Sequence, residues 1–461
     1  MSTRDGSKLR PEGIVTRRAW LAGSITLGGA ALAACGPAAP AGSGTGSEAS
    51  RSKAPATIHL GERAGTEEQA FDNRLPVFKE RFPYITVVRD VITGDMIAAL
   101  QTMAVSGTLP DNAHSYTGGN EYHTFSVTGA FREIDSLIAR DKVDLKQWFP
   151  EMIDIMRIDG KLHGLPFKGQ ILGGGFFFNL SLFEKRGLQP PTDSWTLDDL
   201  AKAAQLLTER SGSDTVQWGY AVQTWGGENF NAHLRHWGGD TYSKDGKKAT
   251  LDSPQVLEAL QWYEMMFTKE RIMHPLDNAA NDFYEGKIAM IGRTYFNFKT
   301  GILTNAGNKF KWDSMMMPRH PKTGKRGGMF AGDAHSITRD SKAVDAAFEL
   351  LKWITDKEFG VQLALQTKGS TTPGGRPDVY ADERILNHPQ YPKQTQLAQL
   401  NSVKEIKEPF SAPANFRAAD IARVRDPATT KITTGEAKAE PGYLRELNNQ
   451  LQAIMELPRP T

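Results

Sequence analysis

A single cysteine, Cys35, stands among 461 residues. No intramolecular disulfide can form, and once that thiol is consumed none is left to bind a metal or act as a nucleophile. Past residue 34 no apolar run reaches the about 18 residues that a membrane-spanning helix needs. Charge of one sign is also missing, since 55 Lys and Arg face 53 Asp and Glu. The first 34 residues hold five of those cations and two of the anions, which leaves the remainder at a net −1. Such a balance argues against nucleic acid as a partner. No Gly-x-Ser-x-Gly elbow, His-Glu-x-x-His pair or phosphate loop is present. His233-x-x-His236 could set two imidazoles on one helical face, but no carboxylate motif accompanies it. It is expected to be structural, with no metal and no cofactor. No internal repeat is found, and the length suggests more than one domain.

What is present begins with an ordered leader. Thr16-Arg17-Arg18 precedes a soft apolar segment from Leu21 to Ala34, and Leu32-Ala33-Ala34 precedes Cys35. A basic stretch, a short apolar core and small residues before a cut define a secretory signal. The paired arginines resemble the twin-arginine type. The expectation is a signal peptide over 1–34, removed before Cys35, with lipid on the Cys35 sulfur. Residues 35–56 are rich in Gly, Ser, Ala and Pro and form a flexible tether. A diacyl anchor supplies the two chains that stable membrane attachment requires. The protein would then sit on the extracytoplasmic face of the membrane.

Periodicity then predicts alternating strands and helices. Ala56–Leu60 is strand-like, and Phe71, Leu75, Phe78 and Phe82 share a helical face up to Pro83. Tyr84–Val88 is β-branched, and Ile97, Leu100 and Ala104 mark a second helix. This order predicts an α/β fold with a largely parallel sheet. Phe176-Phe177-Phe178 suits a buried strand. Thr196 and Asp199 form a capping-box pair ahead of Leu200, Ala204 and Leu207. Asp245-Gly246 turns a hairpin within Tyr242–Thr250. Ser253-Pro254 supplies an N-cap and a first-turn proline for the helix carrying Val256, Leu260, Tyr263 and Phe267. Val344, Phe348 and Leu351 repeat helically, and Met315-Met316-Met317 is expected to pack beside a strand.

Several segments, in order, resemble the family 1 extracellular solute-binding proteins of bacterial ABC importers, the maltose-binding-protein-like group. They include Gly107-Thr108-Leu109-Pro110-Asp111, Gly160-Lys161-Leu162-His163-Gly164-Leu165-Pro166-Phe167 and Phe178-Asn179-Leu180-Ser181-Leu182-Phe183. Gly238-Gly239-Asp240, Phe283-Tyr284-Glu285-Gly286-Lys287-Ile288-Ala289-Met290 and Met317-Pro318 continue the series. The resemblance implies a type II periplasmic-binding-protein fold, with two α/β lobes joined by crossover hinge strands. Crossovers are expected near 168–172, 287–291 and 332–338. The first lobe would hold 57–168 and 291–333, and the second 169–290 and 334–461. It also implies a monomeric binder without covalent chemistry, which takes a carbohydrate and delivers it to importer permease subunits. A glycerol phosphodiester or polyamine binder is an alternative, as is an envelope glycan hydrolase or lyase.

A sugar site needs aromatic planes and polar side chains that both donate and accept. Trp225, set in a glycine-flanked loop, is the first choice for stacking. Tyr295, after the Ala-Met strand, occupies a place where the family carries a stacking aromatic. Trp237 and Phe416 are further aromatic candidates. Glu62 and Arg63 follow the first strand, at a carboxyl end where α/β sheets bind ligands. Arg293 and Asp333 complete the polar set, with Ser115 and Tyr116 after the strand opened by Pro110-Asp111. The family often has an aromatic where Ser115 stands. The Gly173-Gly174-Gly175 run also departs from the family pattern. It would either loosen a hinge or admit close backbone packing.

Overall fold

A computed structural model describes residues 54–460 except 119, 120, 223, 224, 228 and 277. The leader, Cys35 and nearly all of the tether lie outside the described residues. Strands β1 (Ala56–Arg63), β2 (Ile85–Ile92) and β3 (Asn112–Tyr116) open the chain. A two-residue pair, β4 (Arg157–Ile158) and β5 (Lys161–Leu162), precedes β6 (Leu165–Leu172) and β7 (Gly175–Asn179). Then come β8 (Glu209–Ser211), β9 (Asp214–Val222), β10 (Ile288–Arg293), β11 (Trp312–Met316) and β12 (Met329–Ile337).

These strands form two five-stranded sheets, ordered β2-β1-β3-β12-β6 and β11-β7-β10-β9-β8. Each is the spine of one lobe. In the first lobe Ile58, Leu60, Phe71, Phe78, Phe348 and Phe359 are buried together. In the second, Phe176, Phe178, Leu200, Tyr220, Phe230 and Met290 are. The sheets are mixed rather than largely parallel. β1 runs parallel to β2 and β3, and β10 to β9, while β12 is antiparallel to both of its neighbours. β7 is likewise antiparallel to β10 and β11, and β8 forms an antiparallel hairpin with β9.

Local chemistry explains most elements. The helix Leu197–Leu207 starts at the Thr196–Asp199 capping box and buries Leu197, Leu200, Ala203, Ala204 and Leu207. Ser253 caps the helix Pro254–Glu264 through the Val256 amide, with Pro254 in its first turn. The backbone of Tyr242 pairs with that of Ala249 across the Asp245-Gly246 turn.

The lobe boundaries differ from those expected. β10 lies between β7 and β9, so the chain cannot leave the second lobe at 287–291. Residues 291–316 stay in that lobe, Arg319 and His320 still contact it, and the return crossing follows them before β12. β12 and the helices Val344–Ile354 and Lys357–Ala364 pack in the first lobe. The first crossing, at Gly173-Gly174, follows β6. Gly173 takes a left-handed φ of 64° and its N–H donates to Thr294 Oγ1 at 3.1 Å. A Cβ on Gly174 would stand 2.5 Å from the Ile171 side chain, and one on Gly175 2.6 Å from the Arg293 carbonyl oxygen. Close backbone packing therefore accounts for the glycine run.

Candidate functional site

Three strands end at one place. Arg63 closes β1, Tyr116 closes β3 and Arg293 closes β10, the carboxyl ends at which parallel strands present ligand groups. They line a cavity of about 260 Å³ between the lobes. The first lobe adds Thr66, Glu67, Lys168, Gln170 and Asp333, and the second adds Asn229, Thr294, Phe296 and Phe298. Ser370 and Thr372 enter from a segment that touches both lobes. Within it the Ser370 amide donates to the Thr66 carbonyl at 3.0 Å, and Thr371 Oγ1 to the Phe296 carbonyl at 3.0 Å.

Ion pairs organise the first-lobe wall. Lys168 Nζ pairs with Glu67 and lies 3.0 Å from Asp333 Oδ2. His114 Nε2 lies 3.1 Å from the same Asp333 oxygen, and an Arg63 guanidinium nitrogen lies 3.9 Å from it. Burial opposes charge on Lys168, Glu67, Asp333 and Arg63, and their partners outweigh it. Lys168, facing Glu67 and Asp333, is held above the usual lysine pKa. Asp333, facing Lys168 and His114, is held well below the carboxylate range, and Glu67 is also lowered. Asp333, Glu67 and Asp333's neighbour His114 put three ligand atoms within 4.8 Å. Lys168 already supplies a cation to both carboxylates there, so the cluster is read as an ion-pair network rather than a metal centre. Glu121 accepts from the Tyr116 amide, and burial pushes its carboxyl up to about 7.

Arg63, Tyr116, Arg293 and Asp333 are thus brought together, and the other sequence candidates are elsewhere. Glu62 and Ser115 precede cavity residues in strands, where consecutive side chains point to opposite faces. Glu62 is buried against Arg89 at 2.6 Å, and the buried Ser115 is not among the cavity residues. Trp225 is buried in the second lobe against Tyr263, Phe230 and Phe267, with ring centroids 4.9, 5.5 and 6.0 Å away, and stacks on His233. Its flanking glycines serve packing. A Cβ on Gly226 would meet Asp426 Oδ2 at 2.5 Å, and the Gly227 amide donates to that same oxygen. Trp237 packs against Trp262, Tyr263 and His320. Tyr295 is buried against Phe177, and its hydroxyl donates to the Met315 carbonyl at 2.8 Å. Its neighbours Thr294 and Phe296 line the cavity instead. Phe416 stacks on His123 with Arg459 4.8 Å over its ring, away from the cavity. His236 is buried beside Trp237, and burial lowers its pKa to about 3, which keeps the ring neutral.

Lys168, Glu67 and the 370–372 segment were missed. Lys168 begins the expected first crossover, and Thr371-Thr372-Pro373-Gly374-Gly375 is a visible break in helical pattern, so both carried a signal.

The model of a family described as "Bacterial extracellular solute-binding protein" matches residues 61–360. A binding protein of Brucella abortus (strain 2308) is 25% identical over 302 residues, which span 63% of this chain and 69% of that one. An ABC substrate-binding protein of Listeria monocytogenes, solved in complex with cycloalternan, superposes with a TM-score of 0.73 at 20% identity. That match covers 87% of this chain and 98% of the other. UgpB of Mycobacterium tuberculosis, solved in complex with glycerophosphocholine, gives 0.71 at 14% identity over 87% and 98% of the two chains. Both structures share the two-lobed fold of periplasmic binding proteins.

Proposed function

The chain belongs to the bacterial extracellular solute-binding protein family, and from that premise we propose that it captures a carbohydrate outside the cytoplasm and hands it to an ABC importer. The observation that carries this reading is the cavity itself, walled by strand ends from both lobes. A solute touching both walls favours the closed arrangement. Differential affinity of this kind is the only way a ligand shifts such an equilibrium. The ion-pair network on the first-lobe wall holds Arg63 and Asp333 in place before a solute arrives, which reduces the ordering cost of binding. Tyr116, Thr372 and the two phenylalanines would supply the hydroxyl contacts and apolar faces that a sugar ring uses. The Listeria relative with cycloalternan supports a carbohydrate. The fold also accepts glycerophosphocholine in UgpB, so choice of solute belongs to the cleft. Carbohydrate delivery needs no bond making or breaking by this chain.

The leader completes the proposal. Lipid on Cys35 and the tether behind it would keep a single two-lobed binder near the importer. Cys35→Ala protein is expected to bind solute normally and leave the membrane fraction; retention there argues against the anchor. A thermal-shift screen of the purified protein against mono- and oligosaccharides tests the solute class, because binding the native state raises the melting temperature. A screen in which no sugar moves it, neutral or acidic, would set the carbohydrate reading aside.

A further inference from the structure

The two walls of the cavity differ in charge balance. On the first-lobe wall, Arg63 and Lys168 face Glu67 and Asp333, two cations against two carboxylates. Glu121, once ionised, adds further negative potential at Arg63. Across the cleft, Arg293 is the only charged residue that the second lobe contributes among the described lining residues. No described carboxylate pairs with it. Its guanidinium lies 4.7 Å over the Phe298 ring, and its Nε is buried without a hydrogen-bond partner among the described residues. Burial pushes the Arg293 pKa down, whereas the carboxylates beside Arg63 hold that arginine above its usual value despite burial. A desolvated cation that lacks its counter-charge is costly unless something else supplies one. Gln170 Oε1 and Asn229 Oδ1, also at the cavity, are buried acceptors without a donor among the described residues.

We propose that the solute is an anion, a hydroxylated skeleton bearing a carboxylate or phosphate group whose oxygens pair with Arg293, while its hydroxyls donate to Gln170 and Asn229. This inference rests on the solute-binding reading and narrows it. A guanidinium offers a planar fork that matches two oxygens of either oxyanion. Because Arg293 sits on the second lobe, the pairing forms only when that lobe meets the solute. The anion would therefore favour closure as well as affinity.

The test compares uncharged solutes with their anionic counterparts on the purified protein. Glucose is set against glucuronate, galactose against galacturonate, and glycerol against glycerol phosphate and glycerophosphodiesters. Calorimetric titration is run on the parent, Arg293→Gln and Arg293→Lys, with melting curves to verify folding. The inference expects an anionic member to bind at least about tenfold more tightly than its uncharged partner. Arg293→Gln should remove that advantage, and Arg293→Lys should keep part of it. Whether the acid sugars or the phosphates win identifies the source of the oxyanion. Equal affinity for a neutral sugar and its acid, unchanged in folded Arg293→Gln, overturns the inference and leaves the solute-binding reading intact. Failure of every anionic member to bind, while a neutral sugar does, also overturns it. Binding by no member of either series overturns the inference together with the carbohydrate reading.

Discussion

Glu62 and Arg63 are adjacent in sequence and end on opposite faces of one strand. Arg63 reaches the cleft, while Glu62 is paired beneath it with Arg89. The sequence marks the strand end, but only the pairing of β1 with its neighbours shows which face meets the cleft. Trp225 makes the same point in a loop. Glycines beside an aromatic argued for an exposed stacking plane, yet they let Asp426 approach the backbone. Trp225→Ala should lower unfolding free energy by about 3–5 kcal/mol, the usual cost of emptying a large core site. Urea denaturation measures it, and solute affinity of the folded fraction should remain that of the parent.

Glu121 carries a pH prediction. Its pKa rises from 4.5 in the unfolded chain to about 7 in the folded protein. The folded state then holds a proton that the unfolded state has released, so stability falls as pH rises through that window. Below pH 4.5 both states are protonated and the effect vanishes. Glu121→Gln keeps an acceptor for the Tyr116 amide without the charge. It should melt higher than the parent at about pH 8 and alike at about pH 4. A difference of the same size at both values would contradict the assignment.

Among elements, periodic and capped segments were the most legible. The helices at 197–207 and 254–264 start at the caps their sequences announce. The opening strand–helix–strand–helix order also holds. Crossings between lobes were legible only in part, because strand pairing is long-range. Ile288–Arg293 reads as a strand in either lobe, and its place between β7 and β9 depends on residues about 70 to 120 positions away. At the first crossing, Gly173 combines a left-handed φ of 64° with the Ala232 side chain 3.0 Å from where a Cβ would lie. Gly173→Ala should therefore destabilise by about 1–2 kcal/mol. Denaturant titration measures the loss, and an unchanged midpoint would show that the backbone relaxes there.

For the whole molecule, the two-lobed architecture was legible through ordered family-like segments, none of them specific alone. The aromatic side of the site was not. Trp225, Trp237 and Tyr295 are large enough to serve either a core or a ligand, and each is buried in the second lobe. Burial is decided by elements far apart in sequence, and composition does not record it. The polar side was clearer, since Arg63, Tyr116 and Arg293 each close a strand, although Asp333 sits within β12 at a break in its register.

The central claim is that one cavity, shared between the lobes, binds the solute. Its most direct test is calorimetric titration of a solute found in the thermal-shift screen, on the parent and on Arg63→Gln. Loss of a charge-assisted contact costs about 1.5–3 kcal/mol. The account predicts one solute per chain and an affinity at least about tenfold weaker in a normally folded Arg63→Gln protein. Undiminished affinity in that variant would place binding outside the cleft and contradict the account.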